Sequence, residues 1–227
     1  MQFLREDQGQ AIEAIATQIC NSLLTGKRVL WLVSGGSNIA AEISVMHTVH
    51  KRAKKQLPNL AILPMDERYG PKGHPNSNSE QLRQAGFDPG TAVWVDVLMH
   101  GLSFEQTVSF YHEVASTALA HADCIIGQFG LGGDGHTAGI LPGSPATGTS
   151  EPVVVGYTWS DYQRMTLTPV ALANVQIGYV LAYGTGKREA LARLQKNAEP
   201  LAKLPAKILY EIPEVYIYNE DIKLRGN

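Results

Sequence analysis

The hydrophobic residues of this chain recur with two different spacings, which predict alternating helices and strands. Between residues 12 and 23, isoleucine, alanine and leucine recur at helical intervals, and Gly26 then supplies a stop signal. Residues 29–33 form a short, wholly apolar run of the kind found in buried parallel strands. A second helix is predicted over residues 39–55 and a third over residues 104–120.

Short apolar runs separated by polar or glycine-rich segments predict further strands. These cover residues 60–63, 93–97, 124–129, 153–155, 165–168, 177–183 and 215–218. We expect the last run to be an edge strand, and the run ending at residue 183 to lead through a glycine turn into another helix. Strands that alternate with helices are typical of an α/β protein whose mostly parallel sheet is covered on both faces.

The length of 227 residues suits one large α/β domain or two small ones. The best candidate boundary is the segment 142–150, which is rich in Pro, Gly, Ser and Thr. Because this segment is short, we interpret it as a loop and expect residues 1–227 to form a single domain.

Composition narrows the possible partners and the compartment. The net charge of -2 gives no electrostatic reason to expect binding to nucleic acid or to an anionic membrane. No apolar run reaches 18 residues, and the first seven residues lack a signal core. The two cysteines, Cys20 and Cys124, sit in apolar patterns that suit reduced thiols. We therefore expect a cytoplasmic protein.

The stretch that most strongly suggests a functional site directly follows the predicted strand 124–129. It reads Gly130-Leu131-Gly132-Gly133-Asp134-Gly135-His136-Thr137-Ala138. In open α/β sheets, ligands bind at the carboxyl ends of the strands. Glycines allow sharp turns and close approach to a ligand. Asp134 is placed to orient and charge-stabilise His136, so this loop predicts an acid–base site.

The same glycines fit the dinucleotide-binding pattern G-x-G-x-x-G, but two features argue against that function. Asp134 would place a negative charge among the amides that should hold a pyrophosphate. Pro142-Gly143 would interrupt the helix whose N-terminus should bind it. The glycines also lie past the middle of the chain rather than near its first strand. We therefore expect no dinucleotide at this loop.

A second glycine turn, Ser34-Gly35-Gly36-Ser37, lies between a predicted strand and a predicted helix. Backbone N–H groups, serine hydroxyls and the helix dipole could together cradle a phosphate. An ordinary capped strand-to-helix turn explains the same residues equally well. The turn lacks the Gly-Lys-Ser/Thr ending of a Walker A loop.

A polar loop over residues 66–78 contains Asp66-Glu67-Arg68, followed by His74, Asn76, Ser77 and Asn78. It begins at the end of a predicted strand, which favours a functional role, although a solvated loop of mixed charge is the common alternative. Arg164 and Lys187 are isolated cations that are ordinary surface charges unless they converge on the serine–glycine turn. If they do, they complete a phosphate site.

We expect no metal site. His47 and His50 have metal-compatible spacing on a predicted helix, but no acid or thiol accompanies them. His112-Glu113 lacks the second histidine that a zincin motif requires.

Taken in order, four blocks resemble the 6-phosphogluconolactonase family, within the wider glucosamine-6-phosphate isomerase/deaminase superfamily. The blocks are S-G-G-S at residues 34–37, D-E-R…H-x-x-S-N at residues 66–78, G-x-D-G-H-T-A…P-G at residues 132–143, and R-x-T-L-T at residues 164–168 followed by Gly184 and Lys187. The third block is specific to this superfamily, and the four blocks in this order are more specific still. Together the blocks span most of the chain.

The resemblance implies a three-layer α/β/α fold with a Rossmann-like sheet, and hydrolysis of 6-phosphogluconolactone to 6-phosphogluconate, a step of the pentose phosphate pathway. It also implies that the protein uses no cofactor. It implies that His136 activates water, Asp134 orients His136, and Arg68 lies near the lactone carbonyl. The substrate or its phosphate would be held by residues in the remaining blocks: Ser34, Gly35, Gly36, Ser37, His74, Asn78, Gly132, Arg164 and Lys187. The expected partner is a phosphorylated sugar lactone, and we expect a monomer or a weak homodimer.

The chain departs from the family pattern in several places, which bears on sugar specificity. Asn38-Ile39 replaces the usual Thr-Pro, the segment 138–141 differs from the common Ala-Ser-Leu-Phe, Asn76 replaces Asp, and residues 157–163 are not proline-rich.

Two other functions remain open. The related deaminases carry a glutamate five residues after the loop histidine, where this chain has Leu141. Asp66 matches their proton-shuttling carboxylate and so does not discriminate. A non-catalytic sugar-phosphate sensor on the same scaffold would need the phosphate loop but not both Asp134 and His136.

Overall fold

The structure, a computed structural model, describes residues 1–160 and 162–222. Its centre is a seven-stranded sheet in which every neighbouring pair of strands is parallel. In spatial order the strands are β1 (Gln2–Arg5), β10 (Glu214–Asn219), β9 (Ile177–Ala182), β6 (Cys124–Gly130), β2 (Val29–Val33), β3 (Leu60–Pro64) and β5 (Val93–Trp94).

Helices cover both faces of this sheet. They are α1 (Gln8–Leu24), α2 (Ile39–Ala53), α3 (Asn78–Gln84), α4 (Phe104–His121), α5 (Pro169–Leu172) and α6 (Arg188–Lys196). Helices α1, α2 and α3 pack on one face, and α4, α5 and α6 pack on the other. The predicted three-layer α/β/α fold with a mostly parallel sheet is confirmed. That the chain forms a single domain stays a prediction.

Strand β2 shows why the sheet needs two covering layers. All five of its residues are buried. Val29, Trp31 and Val33 point into the core beneath α1 and α2, whereas Leu30 and Leu32 point into the opposite core. Because successive strand residues face opposite sides, a continuous apolar run is stable only when both faces are covered.

The layer that contains α4 also holds a small antiparallel sheet of order β4–β8–β7. Its strands are β4 (Asp66–Arg68), β8 (Tyr162–Leu167) and β7 (Val154–Trp159). The interpretation of residues 66–78 as a loop is therefore wrong at both ends, since the segment begins with β4 and ends at the first residue of α3. Both elements are too short to show a hydrophobic period in the sequence.

The prediction of an edge strand over residues 215–218 is also wrong. Strand β10 pairs with β9 on one side and with β1 on the other. Strand β1 shows no clear pattern in the sequence, because only Phe3 among its four residues is buried. Smaller differences are that α2 ends at Ala53, where a 3₁₀ helix follows, and that β5 has two residues rather than five.

The strand order reverses between β2 and β6. From β2 the chain proceeds outward through β3 to β5, and from β6 it proceeds the opposite way through β9 to β10. A crevice opens at such a switch point beyond the carboxyl ends of the two strands. The serine–glycine turn (residues 34–37) follows β2, and the Asp–His loop (residues 130–138) follows β6. The topology therefore brings the two predicted motifs to this crevice.

Candidate active site

A cavity of about 190 Å³ lies at the switch point, at the carboxyl ends of β2, β3, β6 and β9. It is lined by Ser34, Gly35, Gly36, Ser37, Asp66, Arg68, Asn78, Gly130, Leu131, Gly132, His136, Ala138, Gly139, Leu141, Arg164 and Lys187. All four blocks identified in the sequence therefore contribute to one cavity. Of the predicted site residues, Asp134 and His74 do not line it.

The serine–glycine turn forms one wall. Gly35 and Gly36 adopt φ values of +68° and +56°, a backbone conformation that residues other than glycine rarely adopt. The turn continues as a 3₁₀ helix over Gly36–Asn38 and then becomes α2. Asn38 is buried, and its Nδ2 donates to Ser34 Oγ at 2.9 Å. Asn38, one of the departures from the family pattern, thus fixes the serine that opens the turn.

Glu42 supports this turn from behind, a role that our sequence analysis missed. The Glu42 carboxyl is fully buried, and its Oε1 accepts the N–H groups of Ser34 at 2.9 Å and Gly35 at 3.1 Å. Its Oε2 has no hydrogen-bond partner among residues 1–160 and 162–222. Desolvation by burial raises the pKa of Glu42 to about 7, opposed by the two backbone hydrogen bonds and reinforced by the charge of Asp66.

A signal for Glu42 was present in the sequence. Val45, Met46 and Val49 follow it at intervals of three, four and seven residues, and all of them are buried on the same face of α2. A carboxylate within a buried helical stripe indicates either a hydrogen-bonded structural role or a functional one.

The Asp–His loop forms the opposite wall. His136 Nδ1 lies 2.6 Å from Asp134 Oδ1, and the same oxygen accepts the backbone N–H of His136 at 3.0 Å. The side chains are 43% and 53% exposed, respectively, so water reaches the imidazole. Because Nδ1 is engaged by Asp134, Nε2 is the ring nitrogen left to act on a substrate or a water molecule.

The electrostatics of this pair favour an ionised Asp134. Partial burial alone pushes the pKa of Asp134 upward, but the hydrogen bonds from the backbone and ring of His136, together with its charge, outweigh that effect. The pKa of Asp134 is consequently lower than that of an ordinary aspartate. An ionised Asp134 accepts a hydrogen bond from Nδ1–H and so selects the tautomer in which Nε2 is basic.

Gly132 makes room for the pair. A Cβ at this position would lie 2.1 Å from His136 Nδ1 and 2.6 Å from Asp134 Oδ1. The backbone N–H of Gly132 also donates to the carbonyl of His136 at 2.8 Å and closes the loop. The first requirement for glycine here is therefore space for the two functional side chains.

Two arginines face each other across the antiparallel pair β4–β8. The register places Arg68 directly opposite Arg164. Both Nε atoms are buried without a hydrogen-bond partner in the part of the chain that the structure describes. Like charges in directly opposed positions destabilise a sheet. The arrangement becomes favourable when an anion lies between the two guanidinium groups.

Asp66 lies on the same face of β4 as Arg68 and also lines the cavity. Burial raises the pKa of Asp66 to about 6. Arg68, Arg164 and His136 lower it, and Glu67 raises it. Asp66 is therefore a buried carboxyl group that titrates near neutral pH among the groups expected to carry the chemistry.

Glu67, which our sequence analysis did not single out, anchors the segment that returns to the cavity. Its fully buried carboxylate accepts four hydrogen bonds, from Arg68 N, Ser77 Oγ, Asn78 N and Ser79 N, at 2.7 to 3.0 Å. This fixes the start of α3 and hence Asn78, whose Nδ2 donates to the carbonyl of Asp66 at 2.9 Å.

His74 and Lys187 complete the predicted set. His74 Nε2 lies 2.9 Å from the carbonyl oxygen of Arg68, so its observed contact is with the backbone of β4. Lys187 is half-buried at the end of the turn that follows β9, and it reaches the same cavity as the serine–glycine turn. The three cations Arg68, Arg164 and Lys187 thus converge on one site.

Within residues 1–160 and 162–222, no group of three or more His, Cys, Asp or Glu side chains is arranged to hold a metal ion. Over the same residues, no helix combines the length and apolar character needed to cross a membrane.

Comparison with known proteins gives a consistent family. A sequence model described as "Glucosamine-6-phosphate isomerases/6-phosphogluconolactonase" matches residues 6–216. A 6-phosphogluconolactonase of Mycobacterium leprae is 26% identical over 216 residues, which cover 87% of this chain and 85% of the relative.

Solved structures match over nearly the whole chain. The 6-phosphogluconolactonase of Thermotoga maritima has a TM-score of 0.74 at 22% identity, covering 96% of this chain and 97% of the other. A monomeric glucosamine-6-phosphate deaminase has a TM-score of 0.77 at 17% identity, with the same coverage of both chains. At these identities the structural matches establish the fold.

Proposed function

This chain belongs to the glucosamine-6-phosphate isomerase/6-phosphogluconolactonase family, and from that membership we propose that it hydrolyses 6-phosphogluconolactone to 6-phosphogluconate. The observation that carries the proposal is the composition of one cavity. It combines a glycine turn and the cations Arg164 and Lys187, which suit a phosphate, with Arg68 and an imidazole whose Nδ1 is held by a carboxylate.

The phosphate binds at the serine–glycine turn. Backbone N–H groups and the hydroxyl of Ser37 provide donors at the start of α2, where the helix dipole also favours an anion. Lys187 and Arg164 supply the charge, and the buried Nε of Arg164 gains a partner. These contacts lie away from the reacting carbon, so their binding energy orients the lactone.

His136 acts as the general base. Its Nε2 takes a proton from water as the water oxygen attacks the lactone carbonyl, and the carbonyl oxygen becomes an oxyanion. When the ring C–O bond breaks, the departing alkoxide takes the proton back from His136. The open-chain carboxylic acid that results loses its remaining proton to solvent, which leaves a carboxylate and a free hydroxyl, and no covalent enzyme intermediate forms.

Two charged groups support this step. Arg68 stabilises the oxyanion with its guanidinium, whose buried Nε has no hydrogen-bond partner among residues 1–160 and 162–222. Asp66, which lines the same cavity as both guanidinium groups, accepts a hydrogen bond from a sugar hydroxyl. His74 holds the backbone of Arg68, and Asn78 holds that of Asp66, so these two residues fix the position of the cavity wall.

Leu141 favours the lactonase over the deaminase. It lines the cavity five residues after His136, where the resemblance predicts a glutamate in a deaminase. An apolar side chain cannot transfer the protons that ring opening and deamination require. The retention of both Asp134 and His136, open to water, argues against a non-catalytic sensor.

The direct test is hydrolysis of freshly generated 6-phosphogluconolactone, measured above its spontaneous rate. The account predicts saturable catalysis by the purified protein and no ammonia release from glucosamine 6-phosphate. Ammonia release would identify a deaminase. Binding of 6-phosphogluconate without turnover of either substrate would identify a sensor.

A His136→Asn variant tests the assignment of the base. We expect kcat to fall by about 10²–10⁴-fold, the usual contribution of a positioned general base. KM should change by less than about fivefold, because the phosphate contacts remain. A variant that retains most of the wild-type kcat would remove His136 from the mechanism.

We further propose a monomer or weak homodimer that works in the cytoplasm. The proposal for the compartment rests on Cys20 and Cys124, which are both buried as free thiols. Light scattering coupled to size exclusion tests the mass, and fractionation of the source cells tests the location.

A further inference from the structure

Arg193 lies outside the cavity, on the second turn of α6, yet it contacts the Asp–His loop. Its Nη1 donates to the backbone carbonyl of Asp134 at 3.0 Å. The rest of the guanidinium is held by Glu199 Oε1 at 2.7 Å, Glu199 Oε2 at 2.9 Å and the carbonyl of Lys203 at 2.9 Å. Because three hydrogen bonds fix the planar guanidinium, its Nη1 is a rigid donor for the fourth hydrogen bond, to the carbonyl of Asp134.

The loop is also held next to this contact. The carbonyl of Gly135 accepts the N–H of Ala206 at 3.0 Å. Gly135 adopts a φ of +92°, and a Cβ there would lie 2.4 Å from Leu204 Cδ1 and 3.7 Å from Arg193 Nη1. The segment from Glu199 to Ala206 therefore packs tightly beneath the loop, and Arg193 joins that segment to the carbonyl of Asp134.

Helix α6 also connects this contact to the phosphate end of the cavity. Lys187, which lines the cavity, immediately precedes the first residue of α6. A Cβ on Gly133 would lie 2.7 Å from the carbonyl oxygen of Gly186, so the Asp–His loop and the turn before α6 are in close contact. Helix α6 thus has Lys187, a predicted phosphate contact, at its start, and Arg193, which contacts the Asp–His loop, on its second turn.

We propose that Arg193 is a positioning residue for lactone hydrolysis, which fixes the Asp134 carbonyl so that the Asp134 carboxylate stays aligned with His136 Nδ1. The inference rests on the proposed function. Only two rotatable bonds, Cα–Cβ and Cβ–Cγ, join the main chain of Asp134 to its carboxylate, and Oδ1 contacts both the backbone N–H and the ring Nδ1 of His136. A shift of the carbonyl therefore moves the carboxylate away from Nδ1 and releases the imidazole.

A purely structural ion pair is the alternative explanation, and the same helix provides the control. Arg188 Nε pairs with Asp221 Oδ1 at 2.8 Å, its side chain is 60% exposed, and it does not line the cavity. The side chain of Arg193 is 26% exposed. Arg188→Gln removes an ion pair from α6 without touching the Asp–His loop, so any effect common to both variants reflects the helix alone.

The test compares Arg193→Gln, Arg193→Lys and Arg188→Gln with the wild type. For Arg193→Gln we expect kcat to fall by about 30- to 100-fold, within the range for a displaced catalytic group. KM should stay within about threefold. Arg193→Lys keeps the charge and one donor, so it should recover part of the lost kcat. Arg188→Gln should keep both constants within about twofold of the wild type.

A spectroscopic readout separates positioning from a loss of stability. In long-range ¹H–¹⁵N spectra of the histidine rings, with His136 assigned by its loss in His136→Asn, the wild type should show the tautomer protonated at Nδ1. Arg193→Gln should shift His136 toward the Nε2-protonated tautomer, whereas Arg188→Gln should not. A folded Arg193→Gln protein with wild-type kcat and an unchanged His136 tautomer would overturn the inference.

The two proposals fail in different ways. A wild type that does not hydrolyse the lactone refutes the proposed function, and the His136 tautomer still reports on Arg193. A wild type that is active while Arg193→Lys and Arg193→Gln match Arg188→Gln refutes the positioning role alone. If Arg193→Gln does not fold, the comparison of Arg193→Lys with Arg188→Gln decides the outcome by the same criteria.

Discussion

The serine–glycine turn after β2 and the Asp–His loop after β6 lie side by side at the switch point, but they are held in opposite ways. The first turn rests on the fully buried carboxyl of Glu42, which accepts its N–H groups. The second rests on the guanidinium of Arg193, which donates to its carbonyl and is itself paired with Glu199. The polarity of each support matches the backbone groups that the loop turns away from the cavity.

This difference in how the two loops are held suggests separate roles for the serine–glycine turn and the Asp–His loop. In the proposed function, the phosphate binds the N–H groups of the serine–glycine turn that Glu42 does not engage, together with the adjacent cations. The Asp–His loop instead presents side chains, and Gly132 leaves the space that they occupy. Damage to the first region should weaken binding, and damage to the second should slow the chemistry.

Alanine substitutions at one glycine of each loop test that division most strongly. In Gly132→Ala the new Cβ would overlap His136 Nδ1, so we expect kcat to fall by about 10²-fold with KM little changed. In Gly36→Ala nothing lies within 4 Å of the Cβ, and the cost comes from a φ of +56°. That strain is worth about 1 kcal/mol and should appear in KM and in thermal stability. Steady-state kinetics check both predictions. Equal losses of kcat in Gly132→Ala and Gly36→Ala would contradict the division between binding and chemistry.

A smaller effect is expected from Arg164→Gln, which removes one of the two opposed guanidinium groups. KM should rise by about 10- to 50-fold while kcat falls less than threefold, because a phosphate contact is lost and the base is untouched.

The stability of the Arg164→Gln variant sharpens this prediction. Without ligand, the variant should unfold at the same temperature as the wild type or higher, since like-charge repulsion has been relieved. Added inorganic phosphate should stabilise the wild type more than the variant. Arg28→Gln, which removes the ion pair with Asp123 at the far end of the sheet, serves as the control. An equal phosphate-induced shift in the wild type and Arg164→Gln would place the anion elsewhere.

Glu42→Gln should have the smallest effect on turnover and a clear effect on stability. The ordinary pKa of a glutamate is 4.5, and burial raises that of Glu42 to about 7. Between these values the folded protein retains a proton that the unfolded chain has released. The free energy of unfolding therefore falls as pH rises through this range, by about 3 kcal/mol at 1.36 kcal/mol per pKa unit.

Glutamine keeps the acceptor for Ser34 and Gly35 but cannot ionise, so the decline between pH 6 and 7 should disappear in Glu42→Gln. Asp66, whose pKa is raised to about 6, still contributes a decline at lower pH. Denaturant unfolding at a series of pH values measures both contributions. An unchanged pH dependence in the variant would show that Glu42 is ionised throughout and balanced by a group other than the two amides.

The sequence predicted the elements whose burial is continuous and local. Strand β2 was predicted with its observed bounds, and β6 to within one residue, because a strand buried on both faces is apolar along its whole length. Strands β1 and β4 were missed, since four and three residues are too few to show a period. Helix α3 was missed because its start depends on Glu67, a partner more than ten residues away.

The cavity itself was predicted in outline, because glycine turns at strand ends mark where a backbone can meet a ligand. The residues that hold those turns could not be found in the same way. Glu42 left a trace as a carboxylate in an apolar stripe. Arg193 left none, since its contact with Asp134 spans 59 residues and depends on the packing of α6.

The central claim is that a single cavity holds the phosphate at the serine–glycine turn and brings the lactone carbon to His136. A crystal structure with bound 6-phosphogluconate tests it most directly. The account predicts the phosphate beside Ser37, Arg164 and Lys187, with the product carboxylate within about 4 Å of His136 Nε2. A phosphate bound at the Asp–His loop, or a carboxylate pointing away from His136, would contradict it.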